Sequence, residues 1–364
     1  MSRMSPVQRW SEAKDRAVAG QAVRILIVDD SAVMRSFLAR LFEACPDIEV
    51  IDMLPTAAQA FDFLARERVD IILLDHEMPE QKGLDALPRM LEAAHGAHVV
   101  MLSSHCQRGS RIAVSALSMG ASDALPKPSR TQPVSAFADT LVERFRRLAA
   151  ARYRLSGGAA RLPNRAFPSD FHLGCVGIGA STGGIHTLGM VLAGLGGIRL
   201  GAPILITQHL PEAFIPYYAQ QVGRMTDLPV SIAAPDQPIE PDHVYIAPWE
   251  RSLSCRREGG IARVMLVDGH DPATGARPSV NAMFSGIADT FGAESLGIVL
   301  TGIGRDGTAG AARIVEAGGA VLAQDEASSI VWGMPGSVTR AGLVCANLHP
   351  EKMADHIHQR IGRR

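Results

Sequence analysis

Ser181 stands in the stretch GIGASTGG, and a serine that does covalent chemistry needs a base within reach. The pentapeptide from Gly179 to Gly183 satisfies G-x-S-x-G, a pattern that lifts a serine at a sharp strand-to-helix turn. Most of the twelve histidines fall in predicted helices or loops with no reason to converge. His209 differs, because it follows the apolar run PILITQ and so sits at the carboxyl end of a predicted strand, as Ser181 does. Asp306 follows another apolar run, in LGIVLTGIGRDG, within a glycine-rich turn. Strand ends of one parallel sheet are neighbours in space however distant in sequence. The three residues could therefore act as nucleophile, base and base-orienting carboxylate, with main-chain N–H groups of the glycine turns holding an oxyanion. Glycines also cradle phosphates, and the residues alone leave that second use open. A G-x-G-x-x-G counted from Gly177 meets Thr182 at its last place, however, and no Gly-Lys-Ser/Thr follows.

A second constellation lies in the first third of the chain. Asp29 and Asp30 end one apolar run and Asp75 ends another, DIILLD. Three carboxylates at one sheet edge repel one another unless a cation is present, and Mg²⁺ suits a site of few carboxylates completed by water, a carbonyl and a phosphoryl oxygen. Ser103 after HVVMLS and Lys127 in LPKPS would bring a hydroxyl and an ammonium to the same edge, where both could contact a phosphoryl group on Asp75. Any one of these acids could merely cap a helix. Five suitable residues at the ends of four predicted strands argue for a site.

The elements that must position these groups follow from hydrophobic patterning. From Val23, β-rich runs near 23–28, 48–53, 70–74, 98–102 and 122–125 alternate with helical patterns, which predicts a parallel sheet covered on both faces. Val134, Phe137, Leu141, Phe145 and Leu148 predict a closing helix. The stretch 152–170 mixes Gly, Pro, Arg and Ser and reads as an exposed linker. A second alternating series runs through LGCVGIG, PILITQ, LGIVLTG and AVLAQ, interrupted by a hairpin expected from HVYIAP to RVMLVD. The expected organisation is an α/β chain: an extension over 1–22, a flavodoxin-like doubly wound domain over 23–150, a linker over 151–171, and a Rossmann-like domain with a hairpin insertion over 172–364.

The 364 residues carry 36 Lys and Arg against 37 Asp and Glu, a net charge of −1, which favours neither nucleic acid nor an acidic membrane as main partner. Five scattered cysteines, none in a C-x-x-C pair, suggest no disulfide framework or zinc site and a reducing cytoplasm. Neither a signal peptide nor a membrane span is expected.

Residues 23–130 resemble a two-component receiver domain. The resemblance implies Asp75 as phosphoacceptor, Asp29, Asp30, Asp75 and the carbonyl of Glu77 around Mg²⁺, and Ser103 and Lys127 on the phosphoryl group. Ala124 stands where receivers usually place a switch aromatic, and Lys82 where an acid is frequent. Residues 172–361, with GIGASTGG, ITQHLP, VYIAP, ATGARPSVNAMF, LTGIGRDG and DEASSIVWGMP, resemble the catalytic domain of the chemotaxis protein-glutamate methylesterases, the CheB family. That resemblance implies Ser181, His209 and Asp306 as the triad, with Thr182 beside the nucleophile. Ile303 replaces the methionine of TGMG at a position credited with a main-chain oxyanion donor, and Asn281 replaces a common aspartate.

Together the two resemblances imply a phosphorylation-controlled esterase of chemoreceptor glutamate methyl esters that releases methanol and also deamidates receptor glutamine. It would need no cofactor for the esterase step and would take its phosphoryl group from a histidine kinase. It would act as a cytoplasmic monomer, without membrane insertion. The rival reading is a receiver joined to a nucleotide-binding or adaptor module.

Overall fold

The computed structural model describes residues 22–103, 107–128, 134–154, 164–195 and 200–360; the extension and the middle of the expected linker lie outside them. The first unit runs β1 (Val23–Val28), α1 (Ala32–Glu43), β2 (Ile48–Leu54), α2 (Ala57–Leu64), β3 (Ile71–Asp75), α3 (Gly83–Ala93), β4 (His98–Ser103), α4 (Gln107–Ser118), β5 (Asp123–Pro126) and α5 (Val134–Arg154). Its five strands are all parallel in the order β2-β1-β3-β4-β5, the flavodoxin-like doubly wound arrangement. Strands β3 and β4 are buried along their whole length, as expected of a parallel sheet covered on both faces. Ser31 and Thr56 start α1 and α2 by accepting the N–H groups of Met34 and Gln59.

The second unit continues with β6 (Cys175–Ala180), α6 (Gly184–Leu195), β7 (Ile204–Gln208), a 3₁₀ turn (Glu212–Phe214), α7 (Ile215–Met225), β8 (Val230–Ile232), β9 (Val244–Ile246), β10 (Ser252–Glu258) and β11 (Ile261–Val267). It closes with α8 (Val280–Phe291), a 3₁₀ turn (Gly292–Glu294), β12 (Ser295–Val299), α9 (Thr308–Glu316), β13 (Ala320–Gln324), α10 (Met334–Arg340), β14 (Ala346–Leu348) and α11 (Pro350–His358). The large sheet is parallel in the order β14-β13-β12-β6-β7-β9-β8. From β6 the chain goes one way to β7 and later the other way to β12. The switch point therefore lies beside β6, at whose end Ser181 sits.

One expectation is corrected. VYI does not open the hairpin but joins the large sheet as β9, between β7 and β8. The hairpin pairs β10 with β11 through Gly259 and Gly260, both at positive φ (59° and 83°), which a tight two-residue turn between twisted strands requires. The segment 164–171 lies along the second unit: Arg165 N–H donates to the Val344 carbonyl at 2.8 Å, and Phe171 is buried.

Among the described residues the two units meet through two apolar contacts. Val331 belongs to the buried cluster of the first unit, with Ile303 and Ile330 packed beside it. The second contact joins helices. Ala113, Ala116 and Leu117 of α4 belong to the same buried cluster as Ile185 and Leu188 of α6, and α4 also packs on α7 and the 212–214 turn. A hydrogen bond crosses this contact, from His186 Nδ1 in α6 to the carbonyl of Ser118, the last residue of α4, at 2.9 Å. Among the described residues, no helix is long and apolar enough to cross a membrane.

Candidate active site

The turn after β6 is held by four hydrogen bonds. Ser181 N–H donates to the Thr301 carbonyl at 3.0 Å, and the Ser181 carbonyl accepts from Gly184 N–H at 2.9 Å and from Gln208 Nε2 at 2.7 Å. Thr301 Oγ1 donates to the Thr182 carbonyl at 3.0 Å. Thr301 is fixed in turn, because its N–H donates to Gln324 Oε1 at 2.7 Å and Gln324 is fully buried. The turn thus has little freedom, and Ser181 N–H is not available to cradle a phosphate. At Gly302 the backbone comes so close that an added Cβ would lie 2.7 Å from the Ser181 Cβ and 2.5 Å from the Met334 sulfur. Only glycine fits there.

His209 follows β7, next to β6 in the sheet, and its N–H donates to the Ala180 carbonyl at 3.0 Å. Its Nε2 lies 2.9 Å from Asp306 Oδ2. Asp306, almost fully buried, is the most heavily bonded carboxylate of the region. Val280 N–H donates to Oδ2 at 2.7 Å, while Asn281 N–H and Ser279 Oγ, both at 3.1 Å, and Gly307 N–H at 3.0 Å donate to Oδ1. Three of these donors open α8, whose N-terminus favours an anion. The imidazole is thereby anchored through Nε2, leaving Nδ1 for a reacting group.

Ser181, Thr182, His209 and Ile303 line one cleft of about 790 Å³. Among the described residues, the main-chain N–H groups of Thr182 and Ile303 have no acceptor, and the Ser181 hydroxyl makes no hydrogen bond. Asn281 bridges the region, donating through Nδ2 to Asp271 at 3.3 Å and accepting Gly310 N–H at 2.9 Å through Oδ1.

The far wall of the cleft belongs to the first unit: Ser103, Ser110, Leu117, Ser122, Ala124, Pro126, Arg144 and Arg147 contribute to it. The acid cluster stands at the strand ends of the same unit. Ligand oxygens of Asp29, Asp30 and Asp75 all come within 4.8 Å of one another. Lys127 Nζ lies 2.7 Å from Asp75 Oδ1 and 3.3 Å from Asp29 Oδ2. Asp75 Oδ2 is buried with no hydrogen-bond partner among the described residues. Burial first, and the Asp75 charge second, raise the Asp29 carboxyl above its ordinary value, only partly offset by Lys127. Burial pulls the Lys127 ammonium down, but the hydrogen bond and charge of Asp75, then those of Asp29, outweigh it and leave it raised. A buried orphan oxygen in an acid cluster with a single neutralising ammonium fits a divalent cation. Ser103 is buried at the end of β4, while Glu77 is exposed in the turn two residues after Asp75.

The structure thus brings Asp29, Asp30, Asp75 and Lys127 together, and joins His209 to Asp306 on a cleft shared with Ser181, Thr182 and Ile303, although no Ser181–His209 hydrogen bond is formed. Sequence reasoning missed Gln208, Ser279, Thr301, Gly302 and Gln324. Gln208 and Thr301 stand at strand ends beside the glycine turns, which is a signal of position but not of partner.

Comparison with known proteins agrees in both units. The CheB methylesterase family matches residues 176–357 and the response regulator receiver domain family residues 25–137. The chain is 37% identical over 355 residues to a protein-glutamate methylesterase/protein-glutamine glutaminase of Nitrobacter hamburgensis, covering 92% of this chain and 93% of the relative. It is 38% identical over 344 residues to protein-glutamate methylesterase/protein-glutamine glutaminase 2 of Caulobacter vibrioides, covering 93% and 99%. The crystal structure of the Thermotoga maritima CheB methylesterase catalytic domain is 29% identical and aligns with a TM-score of 0.48, covering 51% of this chain and 98% of that one.

Proposed function

Since the chain belongs to the CheB methylesterase family and carries a response regulator receiver domain ahead of the catalytic part, we propose that it hydrolyses glutamate methyl esters on chemoreceptors under control of phosphorylation. The observation that carries the catalytic part is the 2.9 Å contact between His209 Nε2 and the donor-saturated Asp306, beside Ser181 in one cleft.

His209 keeps its proton on Nε2, toward Asp306, and takes the Ser181 hydroxyl proton at Nδ1 as Oγ attacks the ester carbonyl. The N–H groups of Thr182 and Ile303 stabilise the negative oxygen that forms. The tetrahedral adduct collapses, and His209 returns the proton to the leaving methoxide, which departs as methanol. Water, deprotonated by the same nitrogen, then cleaves the glutamyl–Ser181 ester and restores the carboxylate. With a glutamine substrate the leaving group is ammonia, so the same residues deamidate. This chemistry uses no cofactor.

Control resides in the other unit. Asp75 accepts a phosphoryl group from a histidine kinase, and Lys127 and Ser103 contact its oxygens. Asp29, Asp30, Asp75 and the Glu77 carbonyl would hold Mg²⁺, which supplies charge neutralisation at the acid edge. The receiver wall over the catalytic cleft supports an autoinhibited resting state. Phosphorylation shifts the population toward an open one to the extent that the phosphoryl group makes better contacts there. The chain acts as a monomer in the cytoplasm, with chemoreceptors as substrate and no nucleic-acid partner or membrane insertion. Methanol release from methylated receptor, with and without acetyl phosphate and Mg²⁺, is the test. Full release by Ser181→Ala would end the esterase reading, and a normal response to acetyl phosphate by Asp75→Asn would end the switch reading.

A further inference from the structure

Three arginines line the catalytic cleft, and they are not equivalent. Arg144 is paired with Asp123 at 2.6 Å, and Arg147 with Glu143 one turn before it. Arg277 has no carboxylate and no hydrogen-bond partner among the described residues. Its guanidinium carbon lies 4.8 Å from the centroid of the Trp249 ring, which lines the same cleft. Stacking on an aromatic face holds the planar fork in place while leaving its N–H groups to a further partner. Its backbone is also anchored, because Arg277 lies two residues before Ser279, which caps α8 and donates to Asp306. A half-buried cation held by one aromatic ring beside Ser181 and His209 is suited to bind a carboxylate that the substrate brings.

The reacting ester is itself neutral, so that carboxylate must belong to another residue of the substrate. We propose that Arg277 is a specificity-determining residue that binds a carboxylate flanking the methyl-esterified glutamate, with Trp249 holding the guanidinium in place. The inference rests on the esterase reading for its substrate but makes its own claim about binding. Charged hydrogen bonds of this kind correspond to roughly a tenfold preference or more.

Two peptides test it, each with one glutamate methyl ester. One carries aspartate three or four residues away, the other asparagine at the same place. With the full chain, acetyl phosphate and Mg²⁺, methanol release is expected to favour the aspartate peptide about tenfold in kcat/KM, chiefly through KM. Arg277→Gln brings that ratio close to one, and Arg277→Lys, which keeps the charge but loses the fork, retains part of it. Calorimetric titration of the full-length Ser181→Ala chain gives the same preference as a ratio of Kd values, lost in Ser181→Ala/Arg277→Gln. Equal binding of the two peptides by Ser181→Ala, or a preference that survives Arg277→Gln, overturns the inference. If the binding preference is present while neither peptide releases methanol, the subsite stands and the esterase reading falls.

Discussion

Two buried carboxylates end or follow strands at the working edges of the two sheets, and their surroundings are opposite. Asp306 receives four donors besides His209, three of them from the start of α8. Asp75 has Lys127 on one oxygen and, among the described residues, no hydrogen bond on the other, with Asp29 and Asp30 as like-charged neighbours. A carboxylate whose lone pairs are filled by the fold is finished, and can serve only to hold and polarise what touches it. One left short of donors among like charges is unfinished, and the fold is relieved when a cation or a phosphoryl partner arrives. Burial is common to both acids, and donor supply separates the positioning role proposed for Asp306 from the acceptor role proposed for Asp75.

The strongest way to break this comparison is to make Asp306 fail at its own task. Asp306→Asn keeps the shape but lets the amide donate where the imidazole N–H should be accepted, so His209 is driven toward the wrong tautomer. Methanol release should fall on the order of 10⁴-fold, by analogy with the same change in a serine protease triad. Asp75→Asn should instead remove the response to acetyl phosphate. If the Asp306→Asn chain retained more than about a tenth of its release, the positioning role would be lost.

A smaller effect tests whether the catalytic edge depends on a fixed turn. Gly302→Ala would place a methyl 2.7 Å from the Ser181 Cβ, so the Ser181 turn must shift by a good part of an ångström. A displacement of that size costs about 10²-fold in turnover. The loss should appear in kcat with little change in KM, measured on the phosphorylated chain.

Stability measurements sharpen the other half of the comparison. Because the folded chain raises Asp29 above its ordinary 3.8, it holds that proton more tightly than the unfolded chain does. The contribution of this site is therefore largest below 3.8 and is lost as pH rises through the raised value. Asp29→Asn should flatten that part of the stability–pH curve in metal-free buffer. Mg²⁺ at tenfold its Kd should stabilise the wild-type chain by about 1.4 kcal/mol and the Asp29→Asn chain by less. Equal stabilisation of both by Mg²⁺ would mean that the cluster is not where the ion acts.

Much of this arrangement was legible in the sequence because it follows from strand ends. Apolar runs ending in Ser181, His209, Asp306, Asp29 and Asp75 need only the rule that parallel strands finish on one edge. Short strands escaped: Val230–Ile232 and Ala346–Leu348 are three residues each, too short for a period to register. The hairpin was misplaced because VYIAP is more apolar than SLSCRRE, although the Gly-Gly between SLSCRRE and IARV was the better turn signal. The clamp on the Ser181 turn was not legible at all. Thr301 and Thr182 are 119 residues apart, and a hydroxyl gives no sequence sign of which carbonyl it will meet.

The smallest expected effect concerns how the unfinished site reaches the finished one. Ala124 lines the cleft and offers no ring to rotate, so the link runs through the packed contacts between the units, Ile303, Ile330 and Val331 on the first unit's buried cluster and α4 against α6 and α7. In the helical contact His186 Nδ1–H donates to the terminal carbonyl of α4, a group that lacks an intrahelical partner and stays satisfied while the units remain closed. His186→Ala removes a bond that exists only in the closed arrangement, worth about 1 kcal/mol. Methanol release by the unphosphorylated chain should then rise about fivefold, and the further gain from acetyl phosphate should shrink by the same factor, since one equilibrium is being moved from two sides. An unchanged resting rate would place the closed state's stability elsewhere in the interface. A raised resting rate with the full phosphodonor gain intact would mean that the acid cluster acts on the catalytic edge by a route other than opening.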